Sequence, residues 1–261
     1  MAIRKSFIQF EGKIEGINFF RPRNRKPEDG YIVRKNGGPT RKQIELLPSC
    51  ERVRENNNEF GTCSSAAKSL RMAISPVKHL TDMNLAAQFT SLSRHLLLQD
   101  KENSRGNRIV RFSTLGNQMS GFNLNQQYLF DSVIRHPLAA ALDRNTASVE
   151  IEVPVLQPGL SIVLPWKQPM YRLVFSLGTV WDAAMKGFPR IWSEPVSFIS
   201  PWYLREEVVP ASTVTLQLNK EKISRDECMV VAVGVEMGTV VTDSLVQWVK
   251  YTGCGKIIQA G

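Results

Sequence analysis

Few residues of this chain have the types and spacing that catalysis or metal binding requires. Its three histidines, His79, His95 and His136, show neither HxH nor HExxH spacing, whereas a metal site needs several donors that converge on one point. Cys63 lies near the start of a predicted helix, where the helix dipole can lower a thiol pKa, but a buried structural residue is the favoured interpretation. We therefore expect no catalytic residue, no metal and no cofactor, in a protein that is not an enzyme.

Two further motifs have simpler interpretations than the chemistry they suggest. Glu150 and Glu152 point to the same face of a predicted strand and could hold a cation, but an exposed polar face explains them equally well. The fragment TGCGKI, residues 252–257, resembles the end of a phosphate-binding loop. It lacks the first glycine of that motif and a Ser or Thr after Lys256, so we predict no nucleotide site there.

Basic side chains and aromatic rings lie close together near the start of the chain. The residues that could contact an anionic partner are Arg21, Arg23, Arg25 and Lys26, and the flanking rings are Phe19, Phe20 and Tyr31. Stacking on rings beside a basic groove is how single strands are bound. The same rings can instead form the apolar face of an arm, and no known nucleic-acid-binding motif accompanies them. Weak, sequence-independent nucleic-acid binding remains an alternative.

The positive charge of the chain is concentrated in its first part. The net charge is +9, and residues 1–111 carry 21 Lys and Arg against 11 Asp and Glu, while the remainder carries 12 against 13. Such asymmetry is typical of a surface for nucleic acid or another acidic partner, because basic side chains release counterions from phosphates. A solvated or subunit-contacting arm is the favoured interpretation.

Short β-prone runs, broken by glycine, predict an extended N-terminal arm. FIQFEGKIEGINFF, residues 7–20, alternates and breaks at Gly12 and Gly16, and YIVRK, residues 31–35, precedes the turn NGGP. We expect two or three strands, which can pair with a neighbouring subunit by strand addition. The side chains expected to make this assembly contact are Phe7, Phe10, Ile14, Phe19, Tyr31 and Val33.

The stretch RVRENNNEFG, residues 52–61, predicts a junction between this arm and the first helix. Asparagine competes with the backbone for hydrogen bonds, so three in succession argue against a regular helix or strand. The residues expected to form the junction, through caps, ion pairs, an apolar anchor and a turn, are Arg52, Arg54, Glu55, Glu59, Phe60 and Gly61. A contact with a partner is the alternative role of this stretch.

Helical periodicity follows the junction, and strand periodicity follows that. One helix is predicted over residues 62–74, from Thr62 to the stop at Pro76, and a second from Thr81 or Asp82 to Gln99. Later runs predict short strands between proline-rich turns, namely SVEIEVPV, LSIVL, MYRLVFSL, PVSFI, STVTLQL, CMVVAVGV, SLVQWVKY and KIIQA. The alternation in SVEIEVPV predicts a strand with one solvent-exposed face. Because VVAVGV is apolar on both faces, we expect it in the centre of a sheet.

The order of these motifs resembles a group of uncharacterised Bacteroidota proteins. The runs IQFEGKIEGINFF, YIVRKNGGP, RVRENNNEFGTCSSAAKSLR and SGFNLN are similar to that group's Gly-interrupted arm, VRxxGG turn, RxRENxxEFG junction with a small-residue helix, and β-rich C-terminal half. The resemblance is strongest over residues 7–71, where Cys63 and Ser64 replace the small residues expected after the glycine. It implies this architecture and no activity.

Together these patterns predict a mainly β, α+β protein with an antiparallel β-sandwich body. The expected parts are a basic arm and junction over 1–61, a two-helix segment over 62–107, and an Ig-like or jelly-roll-like sandwich over 108–261. We expect a structural protein that self-associates into an oligomer or filament, without a signal peptide or membrane span, in the cytoplasm or a larger assembly. The alternatives are a nucleic-acid-associated protein and a sugar- or peptide-binding sandwich, whose candidate loop residues are Trp166, Trp181, Trp192 and Trp202.

Overall fold

The computed structural model describes residues 12–20, 32–35, 37–82, 84–184, 193–219, 223–242 and 245–261. The chain forms two compact units, one from Met1 to Arg54 and the other from Glu55 to Gly261. Strands are its main regular structure, and every pairing between them is antiparallel. The predicted mainly β, α+β class is confirmed.

The first unit contains a small meander, here called the arm sheet. Its strands, in the spatial order β1-β2-β3, are β1 Gly12–Ile14, β2 Ile17–Phe20 and β3 Ile32–Lys35. Glu15 and Gly16 connect the first two strands with left-handed φ angles of 47° and 80°, which is the geometry of a tight hairpin turn. The short strands predicted for this stretch are therefore present within the described residues.

A short helix follows the arm sheet. Helix α1, Arg41–Leu46, begins with a capping box, in which the Thr40 hydroxyl accepts from the Gln43 amide and the Gln43 side chain accepts from the Thr40 amide. A 3₁₀ helix, Pro48–Cys50, comes next. This cap fixes the start of α1 by local bonds alone.

The predicted junction at residues 52–61 is wrong, because this stretch belongs to one long helix. Helix α2, Glu51–Ala73, runs through the three asparagines and through both Gly61 and Thr62, the expected turn and helix start. An asparagine in a helix costs only about 0.7 kcal/mol or less. Contacts on the second half of the helix, which is partly buried, outweigh that cost. The predicted boundary between 61 and 62 consequently falls inside α2.

The loop over residues 100–109 packs beside α2 and is organised around one carboxylate. Asp100 accepts hydrogen bonds from the backbone amides of Glu102, Asn103 and Ile109. Burial by itself raises the pKa of Asp100, but these bonds outweigh burial and lower it to about 2. The loop is thus held in one conformation, in which Gly106 approaches Glu55 of α2 closely.

We expect Gly61→Ala to raise the free energy of unfolding by about 0.5–1 kcal/mol, because glycine is a poor helix former. A Cβ atom there meets no atom within 4 Å. Gly106→Ala is the matched control: Gly106 has a φ of +87° and its Cβ would lie 3.0 Å from Glu55 Cγ, so stability should fall. Urea denaturation measures both. A loss of stability in Gly61→Ala would instead support the predicted turn at Gly61.

The second predicted helix is confirmed with tighter bounds. Helix α3, Leu85–Leu97, buries Leu85, Phe89 and Leu96 at the predicted helical spacing. A 3₁₀ helix, Ser75–Leu80, precedes it and begins around Pro76, the predicted stop of the first helix. The other helical segments are α4 Phe112–Leu115, the 3₁₀ helix Gly116–Met119 and α5 Phe130–Val133. No helix of the described chain is both long and apolar enough to cross a bilayer.

Two antiparallel sheets form the β body. The strands are β4 Ala139–Asp143, β5 Ser148–Val153, β6 Met170–Trp181, β7 Val196–Ile199, β8 Tyr203–Leu204, β9 Ser212–Gln217, β10 Glu227–Thr242 and β11 Leu245–Ala260. The large sheet has the order β11-β10-β6-β7, with β8 also pairing with β6, and the small sheet has the order β4-β5-β9. Side chains from both sheets share one core, which is the defining feature of a sandwich.

Helices cover the other face of the large sheet. A second core joins Leu70 and Phe89 from the helices with Val174, Val230 and Ala232 from the sheet. The predicted helical segment and β body therefore belong to one compact unit.

The central position predicted for VVAVGV is confirmed, since β10 lies between β11 and β6 and its first twelve residues are buried. The solvent-exposed face predicted for β5 is confirmed too. LSIVL, which was predicted to be a strand, forms only isolated bridges at Ile162.

Candidate functional site

The strand register of the arm sheet places four apolar side chains on one face. Ile14 pairs with Ile17, and Phe19 pairs with Val33, and residues two apart on a strand point the same way. Ile14, Ile17, Phe19 and Val33 therefore form one surface, here called the arm face. Ile14 is 48% exposed, Ile17 40% and Val33 55%. Ile14, Phe19 and Val33 were among the predicted assembly residues. Ile17 was not, although it lies two residues before Phe19 on the same strand and so points to the same face.

The opposite face of the arm sheet is more polar. Lys13, Asn18 and Arg34 share it, and the Arg34 guanidinium lies 5.3 Å from the centroid of the Phe20 ring. This distance is within the range of a cation–π contact. Phe20 and Ile32 pair on this same face, and Lys35 pairs with Ile17 on the arm face. The arm face is therefore the more apolar of two mixed faces.

Several predicted residues lie outside the described part of the chain. They are the assembly residues Phe7, Phe10 and Tyr31 and the basic loop residues Arg21, Arg23, Arg25 and Lys26. The predictions for these positions remain predictions.

The junction residues contact the chain in ways that differ from the prediction. Arg54 Nη1 donates to the carbonyl oxygens of Ile44 at 2.7 Å and Leu47 at 2.9 Å, so Arg54 satisfies the end of α1. Arg52 lies on the exposed surface of α2. The predicted anchor Phe60 is 66% exposed, and Gly61 is helical, so neither has its predicted role.

The two glutamates of the junction bind the loop over residues 100–109. Glu59 Oε1 accepts from the Gly106 amide at 3.0 Å and lies 3.5 Å from Arg108 Nη1. Glu55 Oε2 lies 3.5 Å from Arg105 Nε. Both glutamates therefore form ion pairs, but with arginines of a distant loop and not the local ion pairs that were predicted within residues 52–61. These contacts fix a loop to a helix within the second unit.

The cysteines do not form a reactive site. All four are buried and without a disulfide. Cys63 lies inside α2, where burial raises the pKa of its thiol to about 11, and burial raises the pKa of Cys228 to about 12. These thiols are protonated at neutral pH and are poor nucleophiles. Among the described residues, no group of three or more His, Cys, Asp and Glu side chains is placed to hold a metal ion.

A charged cluster on the helix-covered face of the large sheet was not predicted. Glu236 of β10 is only 4% exposed. Its Oε1 accepts from His79 Nε2, on the 3₁₀ helix Ser75–Leu80, and its Oε2 accepts from Arg172 Nε, on β6, at 2.5 Å. Burial alone raises the pKa of Glu236, but the bonds from His79 and Arg172 outweigh it, so the pKa lies below its ordinary value. The carboxylate is ionised at neutral pH.

Two indole rings flank this charged cluster, which consists of His79, Arg172 and Glu236. The Arg172 guanidinium carbon lies 4.4 Å from the centroid of the Trp202 ring. The His79 and Trp248 ring centroids are 5.1 Å apart with an interplanar angle of 64°. Sequence reasoning could not find the cluster, because its residues come from distant segments and none belongs to a motif.

The tryptophans proposed for a ligand-binding loop are not gathered at one site within the described residues. Trp166 is buried in the sandwich core, with its ring 4.9 Å from that of Tyr128. Trp181 ends β6, Trp192 lies outside the described residues, and Trp202 belongs to the surroundings of the charged cluster. Among the described members of this predicted group, only Trp202 combines partial exposure with a polar neighbour of known geometry.

Comparison of the chain with protein-family models, with curated proteins and with solved structures finds no match.

Proposed function

We propose that this protein has a structural role and self-associates through its N-terminal arm into an oligomer or filament. The observation that supports this most directly is the arm face. None of the residues in β1, β2 or β3 is buried, although four apolar side chains share one side of the sheet.

The size of the arm sheet supports the same proposal. Its strands have three, four and four residues. A sheet that small is marginal in water unless its apolar face is covered. Covering the arm face removes the exposed parts of Ile14, Ile17 and Val33 from water. Because each of these side chains is about half exposed, its burial contributes at most about half of the 1.5–3 kcal/mol that burial of a whole side chain gives.

A second copy of the chain is the partner that we propose. Both body sheets end in edge strands, with β4 and β9 as the two edges of the small sheet, and an edge strand offers unpaired backbone groups to an incoming strand. The same chain thus carries a short β arm and acceptor edges. A contact between two different surfaces repeats head to tail and builds a ring or a filament.

Ile17→Glu in the full-length protein is expected to shift the wild-type oligomer to monomers, because a charge would have to be buried in the contact. Sedimentation velocity at micromolar concentration measures the distribution. Leu160→Glu, at a body residue that is exposed to a similar or greater degree, is the matched control and should leave the oligomer intact. Removing residues 1–35 should have the same effect as Ile17→Glu while Thr40 still caps α1.

A wild-type chain that stays monomeric at high micromolar concentration would overturn this proposal. If the oligomer persists in both Ile17→Glu and the variant without residues 1–35, the protein self-associates through a surface other than the arm. Electron micrographs of the wild-type material would distinguish rings from filaments.

A further inference from the structure

The charged cluster leaves one part of Arg172 available. Glu236 uses both carboxylate oxygens, one for His79 and one for Arg172 Nε. The Nη1 and Nη2 groups of Arg172 make no hydrogen bond to any residue in the described part of the chain, and 22% of the side-chain surface is exposed. Two parallel N–H donors of a guanidinium match the two oxygens of a carboxylate or phosphate.

The guanidinium is held in place before any ligand arrives. Glu236 fixes its Nε edge, and the Trp202 ring stacks on its face. Gly238 allows Trp202 to sit there, since a Cβ at this position would lie 2.6 Å from the Trp202 ring. Groups held in this way lose little freedom on binding, which increases affinity.

The backbone beside the cluster is irregular. Glu236 pairs with Gly253, yet Gly238, two residues on, pairs with Trp248. Residues 249–252 of β11 therefore bulge out of the ladder, and Tyr251 in this bulge has a φ of 61°. Bulges of this kind redirect side chains and are common next to binding sites.

Trp248 supplies an apolar surface on the His79 side of the charged cluster. It is 38% exposed, and its ring contacts His79 edge-on, which leaves indole surface open to solvent. A partly exposed indole beside a polar group is suited to a flat ring that carries polar substituents.

We propose that Arg172, Trp202 and Trp248 form a binding site for a small ring-bearing molecule with a carboxylate or phosphate group. Arg172 donates through Nη1 and Nη2 to the anionic group, Trp202 and Glu236 hold the guanidinium, and Trp248 contacts the ring. An acidic sugar has this chemistry. The site lies in the second unit and is independent of the arm face.

The test uses the full chain with ¹⁵N-labelled tryptophan, whose five indoles give separate signals. Glucuronate supplies a carboxylate on a ring, inorganic phosphate supplies the anion alone, and glucose is the neutral control. We expect glucuronate to shift the signals of Trp202 and Trp248 at millimolar concentration and glucose to shift neither.

Two variants test the roles of the residues. Arg172→Lys keeps a positive charge for Glu236 but loses the paired donors, so glucuronate binding should weaken about tenfold or more. Trp248→Leu leaves the charged cluster intact, removes one indole signal and should weaken glucuronate more than phosphate. The proposal is overturned if neither anion shifts an indole signal at tens of millimolar, if glucose binds as well as glucuronate, or if both variants bind like the wild type.

Discussion

Gly178→Ala is expected to lower the free energy of unfolding by about 3 kcal/mol, near the upper end for overpacking. Gly178 of β6 lies where the end of α2 meets the large sheet, and an added Cβ would lie 2.3 Å from the carbonyl oxygen of Ala73. It would also lie 2.8 Å from the Ala73 carbonyl carbon. Backbone atoms cannot rotate aside as a side chain can, so the helix and the sheet would have to separate.

Ser176→Ala is the matched control for this prediction. Ser176 lies two residues earlier on the same strand, on the same face, and is fully buried. Its hydroxyl makes no hydrogen bond among the described residues, so removing it should be neutral or slightly stabilising. Guanidinium denaturation of both variants is the measurement. Equal midpoints for Gly178→Ala and Ser176→Ala would mean that α2 does not approach β6 this closely.

Glu236→Gln is expected to destabilise the protein at neutral pH by about 3 kcal/mol, because it leaves the buried edge of Arg172 without its anion. Glu150→Gln, on the wet face of β5, is the matched control and should change stability by less than about 0.5 kcal/mol. Equal losses in the two variants would show that the charged cluster contributes no more than an exposed glutamate.

The same pair of variants predicts a pH dependence. The folded pKa of Glu236 lies below the ordinary value of 4.5, because bonds from His79 and Arg172 outweigh the burial that opposes ionisation. The stabilisation from these bonds is therefore fully present above pH 4.5 and is lost as the pH falls through the folded pKa. Urea midpoints measured from neutral pH to about pH 3 should converge for the wild type and Glu236→Gln. A constant difference over that range would contradict the ionised state of Glu236.

The strand-rich body was predictable because its residues follow simple periodicities. The alternation of β5 and the apolar run in β10 both reflect local burial, so each predicted its position correctly. Strand lengths were less predictable, since SLVQWVKY and KIIQA belong to the single strand β11. Its bulge at residues 249–252 depends on pairing with β10, which a local pattern does not contain.

Helix α2 and the charged cluster show where local patterns fail. Propensity alone disfavours a helix over the three asparagines. The burial of the second half of α2 outweighs that preference, and Glu55 and Glu59 add contacts with a loop some fifty residues later. In the same way, nothing near His79 in sequence indicates Glu236. The arm face lies between these cases: its strands were predictable, but its one-sided apolar surface followed only from the register.

The position of β11 at the end of the strand sequence has a consequence for biosynthesis. Its pairing with β10 completes the large sheet, and the Met229 amide is bonded to the Gly261 carbonyl at 2.7 Å. The ribosome synthesises the arm sheet and α2 long before it synthesises β11. The large sheet, against which α2 packs, cannot be completed until β11 has been made. If the arm mediates self-association as we propose, nascent chains on one polysome would present their arm faces to each other before their own bodies have folded. Assembly through the arm would then begin during translation.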